Sequence, residues 1–175
     1  MELQEAIALI KTDGLNTKDK QTWADLGCGQ GLFTYALAGL LAKGSTIYAI
    51  DENSSALKKI NSTGNVIIKT LHSDFINDDL NLVNLDGILM ANSLHYVKDK
   101  PAFIKKIRSY LKPESTFLVV EYDTDKPVAT WVPYPAGFQS LKKVFSEAGY
   151  STIKKLHEHS SIFNSGNIYS AIITR

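Results

Sequence analysis

Glycine occupies every second position in a short segment, residues 25–31, whose sequence is D-L-G-C-G-Q-G. The segment overlaps a predicted strand at 21–26 and precedes a helical pattern of apolar residues. Because glycine has no side chain, a turn of this kind lets a ligand lie directly against the backbone. The chain is therefore expected to form a strand, a glycine turn and a helix, with a binding site at the turn.

A second acidic residue, Asp51, ends another apolar run twenty residues after Gly31. A carboxylate at this place in a nucleotide-binding unit accepts hydrogen bonds from the hydroxyls of a ribose. Dinucleotide-binding proteins carry G-x-G-x-x-G, and their pyrophosphate lies at the helix N-terminus. Here the spacing is G-x-G-x-G, and the preceding Asp25 would repel a pyrophosphate and suit an ammonium group. The pattern predicts a nucleoside cofactor that is not a dinucleotide.

The segment from Asp25 to Gly31 resembles the first motif of the class I S-adenosylmethionine (SAM)-dependent methyltransferases, which is close to D-x-G-x-G-x-G. The resemblance extends over almost the whole chain. It implies methyl transfer from SAM to an acceptor, with S-adenosylhomocysteine as the product and no metal. Two alternatives stay open: a methyltransferase-like protein that binds SAM without catalysis, as a partner or regulatory subunit, and an NAD-dependent oxidoreductase.

Length and composition agree with one soluble domain over residues 1–175, in which 1–20 form an N-terminal helical segment. The net charge of +1 gives no reason to expect nucleic-acid binding. No apolar run approaches the roughly 20 residues of a membrane span. The single cysteine, Cys28, cannot form an internal disulfide, and the N-terminus lacks the basic start of a signal peptide. A cytoplasmic protein is expected, and its oligomeric state does not follow from these features.

Apolar periodicity predicts strands that alternate with helices. The predicted strands cover 21–26, 45–50, 66–70, 87–91 and 116–121, with a weaker connecting segment at 76–83. The predicted helices cover 3–11, a stretch after the glycine turn that ends near Gly44, 53–61, a stretch from Asp99 to before Pro113, and 137–148. The continuous apolar run at 117–120 is typical of a strand buried on both faces of a parallel sheet.

Two further predicted strands, 150–158 and 167–174, follow without a helix between them. Their connection contains Asn164-Ser165-Gly166, a hairpin signal. The expected fold is an α/β three-layer sandwich around a seven-stranded, mostly parallel sheet whose last strand is antiparallel. This Rossmann-like arrangement is also the one that the family resemblance implies.

In open α/β sheets the ligand lies beyond the carboxyl ends of the strands. The resemblance implies that Asp25 and the glycine-turn backbone surround the methionine part of SAM, and that Asp51 binds the ribose. After the third strand, Asp74 and Phe75 match the family's acid for the adenine amino group and its apolar neighbour. Asn92 is the candidate for the methionine ammonium or carboxylate. The predicted cofactor residues are Asp25, Gly27, Cys28, Gly29, Gly31, Asp51, Glu52, Asp74, Phe75 and Asn92.

His95 is the candidate general base, because an ordinary imidazole titrates near neutral pH. A base is needed only when the acceptor must lose a proton, and packing against the sheet is the alternative role for His95. Glu121 and Tyr122 end the fifth predicted strand and are the other two catalytic candidates. They are expected to approach His95 because the fourth and fifth strands lie near each other.

Segment 122–136 is the candidate acceptor loop, since it carries three prolines and several aromatic residues where surface loops are usually polar. Tyr96, Trp131 and Tyr134 are the predicted acceptor contacts, because rigid aromatic rings hold planar, apolar or cationic ligands. The alternative is that Trp131 and Tyr134 fasten the loop to the sheet.

The class of acceptor follows from what the chain lacks. Family members that methylate amino groups of DNA bases or glutamine amides often carry Asn/Asp-Pro-Pro-Tyr after the fourth strand, whereas residues 92–95 are N-S-L-H. There is also no basic stripe for a nucleic acid. A small-molecule acceptor is expected, and its identity and the atom that receives the methyl group stay open.

Overall fold

A computed structural model of the chain describes residues 1–15, 18–128, 130–160 and 167–175. Seven strands within these residues form one sheet: β1 (Thr22–Leu26), β2 (Thr46–Asp51), β3 (Ile67–His72), β4 (Leu85–Ala91), β5 (Leu111–Tyr122), β6 (Thr152–Ser160) and β7 (Asn167–Thr174). The order across the sheet is β3-β2-β1-β4-β5-β7-β6. The pairs among β1 to β5 are parallel, whereas β7 runs antiparallel to both of its neighbours. The predicted seven-stranded α/β fold is confirmed.

Helices cover both faces of the sheet: α1 (Leu3–Ile10), α2 (Leu32–Ala38), α3 (Ser54–Leu57), α4 (Lys100–Arg108) and α5 (Phe138–Glu147). On one face, α1 and α2 pack against Trp23 and Ile47 in a single apolar cluster. On the other face, α4 and α5 pack against Ile88 and Phe117. Alternate residues of the buried strands therefore point into two separate cores, as the continuous apolar run of β5 predicts.

Helix α3 is a single turn, shorter than the predicted helix at 53–61. The Asn53 side chain caps it by accepting hydrogen bonds from the backbone N–H groups of Ser55 and Ala56. The chain then leaves the helical path, so that Ile60 lies buried in a small cluster with Ala49 and Ile68. Packing of one apolar side chain thus ends a helix that its own sequence would continue.

The junction of α4 and β5 also differs from the prediction. Helix α4 ends at Arg108, and Leu111, which the periodicity places on the helix, instead pairs with Leu85 of β4. Pro113 lies inside β5, where it cannot donate a ladder hydrogen bond. The pairing of β4 with β5 shifts register between Leu85 and Gly87, and this irregularity accommodates the proline.

The other predicted elements are present with shifted ends. Strands β3, β4 and β6 begin within two residues of the predicted positions, and α2 ends at Ala38 rather than near Gly44. Segment 76–83 contains no helix or strand. The hairpin signal at 164–166 lies outside the described residues. None of the helices in the described part of the chain is long and apolar enough to cross a membrane.

Gly87 provides a test of the packing between β1 and β4. It pairs with Trp23 in the sheet, and a Cβ at this position would come within 2.4 Å of the buried indole ring. Gly87→Ala is expected to lower the free energy of unfolding by roughly 1–3 kcal/mol through overpacking, measured by urea denaturation. Gly64→Ala is the control, because a Cβ there would meet nothing within 4 Å. Equal losses in the two variants would contradict the packing argument.

Candidate active site

The glycine turn after β1 is tied to the end of β2. The backbone N–H groups of Gly27 and Cys28 both donate to the carbonyl of Ile50, at 2.8 and 3.0 Å. Gly27 has a φ of 78°, and a Cβ there would lie 2.5 Å from the Cβ of Ser93. A left-handed backbone in contact with another segment requires glycine. The turn therefore brings the ends of three strands, β1, β2 and β4, close together.

Asp51 is held in place at the end of β2. One carboxylate oxygen accepts a hydrogen bond from the N–H of Gly29 at 2.8 Å, and the other accepts from the N–H of Asn53 at 2.8 Å. The carboxylate thus links the glycine turn to the start of α3. Asp51 thus orients Asn53, the residue that caps α3, and its ribose-binding role stays a prediction.

A cavity of about 510 Å³ lies at the carboxyl ends of β1, β2 and β4, within the size range of small-ligand sites. Six predicted cofactor residues line it: Gly27, Asp51, Glu52, Asp74, Phe75 and Asn92. Tyr96, a predicted acceptor contact, lines it as well, together with Asn53, Ile76 and Ser93, which the sequence analysis missed. Each of these last three directly follows a predicted residue in the chain. The lining contains three acids and no basic residue, so the cavity suits a positively charged ligand.

Four predicted cofactor residues are not part of the cavity lining: Asp25, Cys28, Gly29 and Gly31. Gly29 supports the site through its hydrogen bond to Asp51. Gly31 starts α2 with a φ of 89° and packs against Ile60. Burial raises the pKa of the Cys28 thiol, and the charges of Asp25 and Asp51 raise it further, so the thiol stays protonated. Cys28 is a turn residue and not a reactive nucleophile.

Asp74 shapes the wall of the cavity. One of its carboxylate oxygens accepts from the N–H groups of Ile76 and Asn77, and the other accepts from the Asn77 side chain at 2.6 Å. The bond from the Asn77 side chain and the two backbone bonds hold the pKa of Asp74 below its ordinary value. The resulting turn places Phe75 in the cavity wall, where its ring packs edge-on against Phe103 at 5.9 Å between centroids.

Asp25, which the resemblance places around the methionine part of SAM, is buried beneath the turn and is not part of the cavity lining. It is 1% exposed, and one carboxyl oxygen accepts a hydrogen bond from the Thr34 hydroxyl at 2.6 Å. The other oxygen has no hydrogen-bond partner. Burial raises the pKa of Asp25 to about 7, the Thr34 bond opposes this rise, and the charge of Asp51 adds to it.

Asn92 follows β4 with a φ of 53°, and its N–H donates to the carbonyl of Val120 at 2.8 Å. Its side-chain oxygen and the free oxygen of Asp25 are the two buried side-chain N or O atoms that lack a partner among the described residues. Strands β1 and β4 are adjacent where the strand order reverses, which is the usual ligand crevice of such sheets. Asn92 lines the cavity and Asp25 does not, so the Asn92 oxygen is the one of these two atoms placed to accept a hydrogen bond from a ligand.

His95 and Glu121 form a buried pair at the ends of β4 and β5. The carboxylate of Glu121 accepts from the His95 backbone N–H at 3.1 Å and from the ring Nδ1 at 2.7 Å. His95 is 2% exposed, and its ring lies 4.4 Å from the Tyr96 ring and 6.2 Å from the Tyr122 ring, between centroids. The three predicted catalytic residues, His95, Glu121 and Tyr122, thus lie together.

Lys100 is a buried residue of this region that the sequence analysis missed. Its Nζ donates to the carbonyls of Val97 at 2.9 Å and Tyr134 at 2.5 Å. Burial lowers the pKa of Lys100, and the charge of Glu121 opposes that shift. The sequence does carry a signal for the burial of Lys100, which is its spacing. Positions 100, 103, 104 and 107 share one helical face, and the residues at 103, 104 and 107 are apolar.

The candidate acceptor loop is anchored by small aliphatic residues and by its backbone. Val132 and Ala136 are buried, and the Tyr134 N–H donates to the carbonyl of His95 at 3.0 Å. Trp131 is 74% exposed, so the interpretation that it fastens the loop to the sheet is wrong. Tyr96 and Tyr134 are also exposed, at 48% and 41%. Residue 129 of the loop lies outside the described residues.

Comparison with known proteins gives one family. A family profile described as a methyltransferase domain matches residues 17–167. No curated protein sequence matches the chain. Among solved structures, the chain is similar to a SAM-dependent methyltransferase from Aquifex aeolicus, with a TM-score of 0.67 and 15% identity over 99% of this chain and 98% of that chain.

Two further structures show the same fold. One is a SAM-dependent methyltransferase from Mesorhizobium loti, with a TM-score of 0.66 and 14% identity over 92% of this chain and 94% of that one. The other is phosphoethanolamine N-methyltransferase 2 of Haemonchus contortus, in complex with phosphomonomethylethanolamine and S-adenosylhomocysteine. Its TM-score is 0.75 and its identity 12%, over 98% of this chain and 52% of that chain.

The pKa of Asp25 predicts how stability depends on pH. The folded protein keeps a proton up to about pH 7 that the unfolded chain loses near its ordinary value of 3.8. Stability should therefore fall as the pH rises between these values, by up to about 4 kcal/mol from this group. Urea unfolding of the wild type and of Asp25→Asn, each at several pH values, measures the difference. A pH dependence that is the same in both proteins would contradict the buried, protonated carboxyl.

Proposed function

The chain belongs to the methyltransferase-domain family and is a SAM-dependent methyltransferase, and we propose that it methylates a small molecule bound beside Tyr96 and segment 122–136. The family match removes the NAD-dependent oxidoreductase alternative. The observation that carries the proposal is the hydrogen bond of 2.7 Å between Glu121 and the His95 ring, next to a residue that lines the cavity.

The cofactor residues follow from the cavity. SAM supplies a methyl group on a positive sulfur, which needs no further activation. We assign Asp51 to the ribose hydroxyls, because its carboxylate is already oriented by Gly29 and Asn53. Phe75 and Asp74 are assigned to the adenine, and the unpartnered oxygen of Asn92 to the ammonium group. The absence of basic residues from the lining supports a cationic ligand.

The proposed base is His95. Glu121 accepts a hydrogen bond from Nδ1–H, and with the proton on Nδ1 the neutral ring has its free lone pair on Nε2. No hydrogen bond to Nε2 is present in the described residues, so this nitrogen is available to take a proton from an acceptor. A histidine held by a buried carboxylate is the arrangement that proton-abstracting sites commonly use. Tyr122 flanks the imidazole and is assigned to its positioning.

The proposed acceptor is a small molecule whose nucleophilic atom carries a proton, such as a hydroxyl or a thiol. A base is useful only to an acceptor of this kind. Exposed rings of Tyr96, Trp131 and Tyr134 stand in the region of segment 122–136 and offer faces for a planar group. The Haemonchus contortus relative, in complex with phosphomonomethylethanolamine, supports a small molecule in this fold.

Removing the Asp51 carboxylate tests the cofactor assignment. Asp51→Ala should weaken SAM binding by roughly 1–3 kcal/mol, because a pair of ligand hydroxyls loses a charged acceptor. Isothermal titration calorimetry measures the affinity. Glu114→Ala is the control, since Glu114 is exposed near the amino end of β5, away from the cavity. An unchanged affinity in Asp51→Ala would contradict the ribose assignment.

The acceptor proposal is tested with labelled SAM and a panel of small molecules that carry hydroxyl, thiol or amino groups. Transfer of label to a hydroxyl or thiol compound is expected from the wild type. His95→Gln should keep its affinity for SAM and lose a factor of roughly 10²–10⁴ in kcat, because proton removal is impaired.

Two results would count against this assignment. When peptides and nucleic acids are assayed beside the panel, label transfer to them alone would refute the small-molecule acceptor. An unchanged kcat in His95→Gln would mean that the imidazole packs against the sheet and does not act as a base. Glu121→Gln is the second variant for the same pair, because it keeps the size of the side chain and removes the charge that holds the His95 ring. Like His95→Gln, it should lower kcat.

A further inference from the structure

Asp25 is a carboxyl group without a counter-ion. It is 1% exposed, and within the described residues its one hydrogen-bond donor is the neutral Thr34 hydroxyl and its second oxygen has no partner. Of the Lys, Arg and His residues that the structure describes, none forms an ion pair with it. A buried carboxylate with one neutral donor is strongly disfavoured, so the free protein holds this group largely as the neutral acid below neutral pH.

The titratable groups around Asp25 make the ionised form still less favourable. From β2 the charge of Asp51 raises the pKa of Asp25 further, and the thiol of Cys28 in the turn stays protonated and brings no charge. Its register partner on β4 is the apolar Leu89, and α2 contributes only the hydroxyl of Thr34. Every one of these ionisable neighbours is acidic. A positive charge that stabilises the Asp25 carboxylate must therefore come from a bound molecule.

The cavity beside Asp25 takes a ligand whose charge changes during the reaction. SAM carries a sulfonium and an ammonium against one carboxylate, whereas S-adenosylhomocysteine lacks the sulfonium charge. Asp51, Glu52 and Asp74 line the cavity without any basic residue, so the field on the ligand side is negative. A positively charged ligand lowers the cost of ionising a neighbouring carboxyl, and a ligand of zero net charge does so less.

We propose that Asp25 gives up its proton when SAM binds and takes one back in the S-adenosylhomocysteine complex, so that it discriminates the charged cofactor from its product. The inference rests on the proposed placement of SAM in this cavity. The proton goes to solvent on binding and returns from solvent after transfer, so Asp25 exchanges no proton with the acceptor. Its place beneath the turn makes it a specificity-determining residue, and not a catalytic one.

The preference for SAM over S-adenosylhomocysteine should then rise with pH. Below about pH 7, where the free protein holds the proton, SAM binding must release it, and the affinity for SAM grows as the pH rises. Above that value the proton is already absent and the preference levels off. Between about pH 6 and about pH 8 the ratio of the two affinities should increase by roughly tenfold.

Calorimetric titration with SAM and with S-adenosylhomocysteine tests this linkage without any acceptor. Each titration is run at several pH values in buffers that differ in ionisation enthalpy, so the protons released on binding are counted. The wild type should release about half a proton more with SAM than with S-adenosylhomocysteine at pH 7. The α-amino groups of both ligands are largely protonated at pH 7, so their titration contributes little to this difference. Asp25→Asn should show no such difference and a ratio that is independent of pH.

Thr34→Val is the second variant, and it decides the question if Asp25→Asn does not fold. The hydrogen bond from the Thr34 hydroxyl lowers the pKa of Asp25, so its loss should raise that pKa. The rise in the ratio of SAM affinity to S-adenosylhomocysteine affinity should then occur at higher pH. Equal proton release for the two ligands in the wild type, or a pH-independent ratio, would overturn the inference while leaving SAM binding intact. Failure of SAM to bind the wild type at any pH would overturn the proposed site instead.

Discussion

One backbone carbonyl, that of Ile50, accepts hydrogen bonds from two successive N–H groups of the glycine turn. This contact joins the end of β1 to the end of β2 through main-chain atoms, and the rest of the site depends on it. It brings the N–H of Gly29 to the Asp51 carboxylate and starts α2 where Thr34 can reach Asp25. Left-handed backbone at the turn glycines makes this path possible.

The sequence was sufficient for the fold and for much of the cavity. Apolar runs and the glycine motif predicted the sheet, since strands buried on both faces of a parallel sheet leave continuous apolar segments in the sequence. Asp51, Asp74 and Asn92 were predictable because each ends or follows a strand at the same edge. The errors lie where tertiary packing overrides local preference: Ile60 ends α3 early, and Leu111 pairs with Leu85 instead of extending α4.

The buried polar groups of the site could be predicted only in part. His95 and Glu121 are far apart in sequence, and they meet because β4 and β5 are neighbours that place both residues at their ends. Lys100 has an unusual place on an apolar helix face, but only the fold shows which carbonyls receive its ammonium group. Whether Asp25 faces the ligand or the interior depends on how α2 packs over β1, which no local pattern encodes.

The loop after β5 is held at Tyr134 through main-chain atoms. Its N–H donates to the carbonyl of His95, and its carbonyl accepts from Lys100. Every residue except proline offers both of these groups. The rings at 131 and 134 are thus free to vary over evolutionary time without releasing the loop, so that, under the proposed acceptor site, related chains could diverge in their acceptor while the scaffold stays the same.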